Sequence, residues 1–148
     1  MAKTIKITAT DGSQVEFFDE MIGAGGMKDV YFSPDKSYVV AFFRDKQDFN
    51  AKDRLQNITG KYRDNIFNQA GGEYWKDLYC WPTKIVEYNG KLGITCPTYQ
   101  KQYFFKNGSV NNDFLRIKGK EKEGKWYASA KNLNKFLAPE EKGDWFKY

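Results

Sequence analysis

Between Thr83 and Thr95 the chain reads TKIVEYNGKLGIT, two strand-like runs joined by Asn89-Gly90. Few dipeptides constrain a fold as tightly. A two-residue type I′ turn needs positive φ at both central positions, which asparagine and glycine tolerate and most residues do not. The spacing therefore predicts a β-hairpin over 84–95, and a lone hairpin is marginal in water, so it must join a larger sheet.

The strands it can join lie upstream. KTIKITA alternates polar and apolar as a half-buried strand does, TDGS is a turn, and QVEFFDEMI reads as a second strand. Three glycines then fall within four positions, Gly23, Gly25 and Gly26, before the short β-prone run DVYFS. PDKS is a turn, and YVVAFF is a buried strand by its density of β-branched and aromatic residues. Four strands are thus expected before residue 44. The period then changes: Leu55, Ile58, Tyr62, Ile66 and Phe67 recur at three- and four-residue steps, which predicts one main helix over about 50–68, stopped by the glycines of AGGE. The order is α+β, with a twisted antiparallel sheet of five or more strands.

Past Gln100 the pattern weakens. KNGSVNND reads as a polar loop, KGKEKEGK as an exposed charged link, and SAKNLNKFLAPEEKGDWFKY as helical in two pieces broken before Pro139. At 148 residues the length favours one domain with a real core, and 12 Phe, 10 Tyr and 4 Trp supply bulk for it. The net charge of +5 is spread along the chain rather than gathered in an arm, so an ordinary solvated surface is expected. No histidine is present, which excludes His-ligated metal sites and Ser-His or Cys-His nucleophiles. Two cysteines, Cys80 and Cys96, match neither a disulfide framework nor a zinc spacing. Without an apolar leader or a membrane-length run, a cytoplasmic setting is expected.

The glycine cluster admits two readings, a plain hairpin turn or a lid over phosphates. Glycines let backbone N–H groups approach phosphate oxygens, and a valine at the exit offers an apolar surface to a base. IGAGGMKDVYF resembles the glycine-rich loop of the protein kinase superfamily, G-x-G-x-x-G-x-V. Gly23 and Gly25 fall on its first two glycines, Lys28 where the third would be, and Val30 on the valine. The element order resembles the kinase amino-terminal lobe: three strands, one helix, two strands, with KTIKITA as an extra. WPTKIVEYNGKLGITCPTY is similar to a bacterial branch of kinase-like proteins whose hairpin carries Trp81, Pro82, Gly90, Gly93 and Pro97. The resemblance covers roughly residues 15–100, leaving 101–148 as a loop and helical extension toward a second lobe.

What the resemblance implies is an ATP-binding lobe acting with Mg²⁺. Gly23, Gly25, Gly26 and Lys28 would cover the phosphates, Val30 and Val39 would line the adenine pocket, and Cys96, Thr98 and Tyr99 would belong to the hinge that reads the adenine edge. The third strand of the family carries a lysine for the phosphates, paired with a helix glutamate. Here one register puts Ala41 at that lysine and the other puts Phe43 there. Ala41 is a natural loss, an engineered replacement, or an ordinary core alanine. The helix supplies only Asp53 and Asp64 as acids, with Glu73 just beyond it.

Without histidine there is no H-R-D motif, and Asp48-Phe49-Asn50 and Asp113-Phe114-Leu115 lack the glycine of D-F-G. The expectation is a fragment of a serine/threonine protein kinase-like enzyme, inactive alone, with the terminal WFKY as a point of truncation and a kinase carboxy-terminal lobe or protein partner completing it. Two alternatives stand beside it. One is a pseudokinase-type interaction module that docks a protein through Trp75, Tyr79, Trp81, Trp126 and Tyr127. The other is single-stranded nucleic-acid binding, disfavoured because lysines and aromatics are not interleaved on one strand.

Overall fold

A computed structural model describes residues 2–143. The chain divides into two compact units, one running to Thr98 and the other from Tyr99 onward. No helix among the described residues is long and apolar enough to cross a membrane.

The first unit is α+β. Strands β1 (Thr4–Thr8) and β2 (Gln14–Phe18) form an antiparallel pair of their own. Strands β3 (Met21–Ala24), β4 (Lys28–Phe32), β5 (Tyr38–Phe43), β6 (Lys84–Tyr88) and β7 (Lys91–Pro97) form a five-stranded antiparallel sheet in the order β3-β4-β5-β7-β6. The upstream strands therefore number five rather than the four expected. QVEFFDEMI is broken at Asp19-Glu20, and its halves serve different sheets. The hairpin lies where Asn89-Gly90 places it, with φ of 50° and 73° at the turn. Gly93 is needed for another reason, since a Cβ there would stand 2.6 Å from Cδ1 of Phe42 on the neighbouring strand.

Alternation along the strands sends side chains to two separate cores. On one face Val40, Phe42 and Val86 pack with Val15 and Phe17 of the β1–β2 pair, and Phe17 meets the rings of Phe42 and Tyr88 at 5.4 and 5.6 Å. On the other, Ala41, Phe43, Ile85 and Ile94 pack beneath Leu55 and Ile58 of the helix.

That helix runs through α1 (Ala51–Asn57), a π-helical turn (Ile58–Tyr62) and α2 (Arg63–Phe67). The π turn has a visible partner: Nε1 of Trp81 donates to the carbonyl of Ile58 at 2.7 Å, tying the hairpin's entry to the helix. The turn also shifts the apolar stripe, leaving Tyr62 at 50% exposure although its spacing predicts burial. AGGE does end this helix, but Gly71, with φ of 80°, then turns the chain into α3 (Gly72–Leu78), a helix that the sequence pattern does not announce.

In the second unit Phe105, Ile117 and Leu137 form the core, with Leu115, Trp126, Tyr127 and Leu133 around them. Helices Ala130–Phe136 and Pro139–Lys142 match the expected break before Pro139, and residues 144–148, which include the expected WFKY end, lie outside the described residues. The charged link is not wholly exposed as expected. Lys122 is buried against Glu141 at 3.4 Å, and that carboxylate also accepts from the backbone N–H groups of Asn107 and Gly108. The KNGSVNND loop is also more ordered than its polarity implies, because Ser109 is buried and Asp113 gathers hydrogen bonds from Ser109, Ile117 and Lys118.

Candidate functional site

Gly23 pairs with Val30 and Ala24 closes β3 opposite Asp29, with the register shifting between Met21 and Gly23, and Gly25 to Met27 make the turn into β4. The glycines therefore sit at a strand-to-strand turn, not at the start of a helix. The N–H of Gly25 donates to the carbonyl of Lys28 at 3.0 Å. Arg44, just past β5, pins this turn from below. Its guanidinium donates to the carbonyls of Gly25 and Lys28 and pairs with Asp29 at 2.7 Å, while its own N–H reaches the carbonyl of Met27 at 3.1 Å. Arg44 carries no motif, so sequence reasoning passed over it; only strand pairing brings it back to residues 25–29.

The turn does not itself require its glycines. A Cβ added at Gly23 or Gly26 would meet nothing within 4 Å, one at Gly25 would lie 3.9 Å from the carbonyl of Lys28, and none of the three has a left-handed φ. Neither a steric clash nor a left-handed φ accounts for three glycines in four positions, and bare backbone there leaves room for close approach of a ligand.

Beneath the turn lies the helix-side face of the sheet. Val30 pairs with Ala41, Lys28 with Phe43, and Val39 with Cys96, so these six residues stand on three adjacent strands. Ala41 is 8% exposed and Phe43 is 9% exposed, both within the apolar cluster under Leu55. No acid from the helix faces them: Asp53 is exposed, Asp64 lies beside Arg63 at 3.9 Å, and Glu73 pairs with Lys76 at 2.7 Å. Nζ of Lys28 rests 4.6 Å from the centroid of the Phe43 ring. Burial pushes the Cys96 thiol up to about 11; the positive charge of Lys28 opposes that rise, and Cys80 adds to it. Cys96 is thus a neutral packing residue, not a nucleophile.

At the far end of β7 the hydroxyl of Thr98 donates to the carbonyls of Lys36 and Ser37 at 3.0 and 3.2 Å, fastening the strand end to the β4–β5 turn. Tyr99 is 52% exposed and opens the second unit. Of the residues singled out in the sequence, the first unit thus brings Gly23, Gly25, Gly26, Lys28, Val30, Val39, Ala41 and Cys96 to one turn and the sheet face below it.

Among the described residues no group of three or more His, Cys, Asp or Glu is arranged to hold a metal ion. The bare glycine turn and the Lys28 ammonium fit a phosphate; no carboxylate set accompanies them for Mg²⁺. Compared with known protein families, curated proteins and solved structures, the chain matches none.

Proposed function

We propose that the first unit is a nucleotide-binding lobe of protein kinase type, catalytically incomplete as this chain presents it. The observation that carries the reading is the glycine turn: three glycines that neither φ nor packing demands, at a strand-to-strand turn above a face of small and apolar side chains. The chain order of three strands, helix and hairpin around that turn supports it. In this reading the backbone of Gly23 to Lys28 lies over the phosphates of ATP, and Val30 and Val39 face the adenine. The backbone of Cys96 to Thr98 meets the edge of the base. ATP would supply a transferable phosphoryl group, and the groups that hold Mg²⁺ and activate an acceptor would come from a carboxy-terminal lobe or partner protein.

The test is a titration of the ¹⁵N-labelled chain with ATP, ADP and adenosine to millimolar concentrations, with and without Mg²⁺. Amides of Gly23, Gly25, Gly26 and Val30 are expected to move with ATP. If none moves with any of the three ligands, the lobe reading is wrong.

A second reading, a non-catalytic module that docks a protein, draws on a different surface. Trp75 and Tyr79 stack at 5.6 Å with 8° between planes, next to Trp81, and Tyr74 and Tyr79 are 63% and 46% exposed. Loss of partner capture on Tyr74→Ala and Tyr79→Ala, with nucleotide shifts absent, would favour it.

A further inference from the structure

Resting on the lobe reading, we propose that Lys28 supplies the phosphate-binding cation of this site, projecting from the strand that leaves the glycine turn onto the face where the third strand offers only Ala41 and Phe43. Both registers of the third strand lead to the same place. Ala41 is the pairing partner of Val30, two residues from Lys28 on the same side of β4, and Phe43 is the partner of Lys28 itself. Whichever of the two stands where a strand lysine would, Lys28 is either its direct pairing partner or two residue pairs along on the same face.

Three further observations agree. The ammonium of Lys28 is committed to no carboxylate among the described residues; it rests over the Phe43 ring, an interaction that a phosphate oxygen can share. Arg44, the nearby cation, is already spent on Asp29 and the carbonyls of the turn. And the face is consistently altered, because the position that would carry a strand lysine and the helix that would carry its glutamate are both apolar there, as Ala41, Phe43 and Leu55 share one cluster. Removing both members of a buried ion pair is energetically tolerable, whereas removing one leaves an uncompensated charge. A lysine delivered from the glycine turn needs no glutamate, because its ammonium rests over the Phe43 ring and the residue is only half-buried. No covalent step is involved.

The experiment compares the full chain with Lys28→Ala, Lys28→Gln and, as a control, Lys36→Ala, whose ammonium lies 5.7 Å over Phe32 at the other end of β4. Each is titrated by NMR with MgATP and with adenosine, after its amide spectrum shows the fold intact. The expected result is a loss of ATP affinity of about tenfold or more in both Lys28 variants, the effect of one charge-assisted contact. Adenosine binding should stay unchanged, and Lys36→Ala should behave as the parent. Unchanged ATP affinity in a folded Lys28 variant overturns the inference while leaving the lobe reading standing. If neither ATP nor adenosine binds the parent chain, both fall.

Discussion

Substitutions at single residues separate what the fold needs from what a ligand would need. Alanine at Gly23 or Gly26 meets open space, and at Gly25 only ordinary contact with the Lys28 carbonyl, so each change is expected to alter stability by no more than about 0.5 kcal/mol in urea unfolding. The same changes should weaken ATP-induced amide shifts, since a methyl group would hold phosphate oxygens off the backbone. Gly93→Ala is the counter-case. Its Cβ would lie 2.6 Å from the Phe42 ring and 3.0 Å from the carbonyl of Ala41, and about 1–3 kcal/mol of stability should be lost through overpacking. Ala41→Lys bears on the question of a vanished lysine. With Ala41 at 8% exposure among Phe43, Leu55 and Ile94, an ammonium there has no partner, and the urea midpoint is expected to fall by the equivalent of several kcal/mol. A negligible shift would instead show that a lysine at 41 reaches solvent, and would restore that position as a phosphate-binding one.

Within the elements, the π turn and the loop around Asp113 are held by bonds that the local sequence does not advertise. The Trp81 indole takes the Ile58 carbonyl, and its ring stands edge-on to Phe67 at 6.0 Å. Trp81→Phe should keep much of the packing and lose the bond, costing about 1–2 kcal/mol and loosening the amides of 58–62 to hydrogen exchange. In the second unit the Asp113 carboxyl is opposed by desolvation. The N–H groups of Ser109, Lys118 and Ile117 and the Ser109 hydroxyl outweigh that cost and bring it from 3.8 down to about 2. A folded-state value below the unfolded one means the stabilisation is present above about pH 4 and is lost as pH falls toward 2. Urea melts followed by Trp126 fluorescence should therefore show Asp113→Asn destabilised at neutral pH, with the gap to the parent closing between about pH 4 and 2. A gap constant across that range would mean the carboxylate charge is not what holds the loop.

For the molecule as a whole, the proposed lobe lacks any histidine for a catalytic H-R-D segment and shows no carboxylate cluster for a metal among the described residues. MgATP should accordingly bind this chain only in the weak range that NMR titration detects. A micromolar constant in calorimetry would contradict a site that needs a second lobe to be complete. Mixing the chain with MgATP and a generic acceptor such as casein should release or transfer no phosphate above background.

The sequence by itself determined the elements whose information is local. Asn89-Gly90 specifies its hairpin because the φ values of the turn are a property of two residues, and the helix beginning near residue 50 follows from apolar spacing on one chain segment. The break at Asp19-Glu20, the π turn at Ile58–Tyr62 and the extra helix Gly72–Leu78 were not legible, since each depends on which surface is available to receive side chains. Of the site, the glycines and Lys28 could be read from their order. That Arg44 clamps the turn, that Lys28 lies over Phe43, and that Ala41 is roofed by Leu55 are products of strand register and helix packing. Pairing between β4 and β5 brings residues 28 and 43 face to face, and no spacing rule within either strand contains that distance.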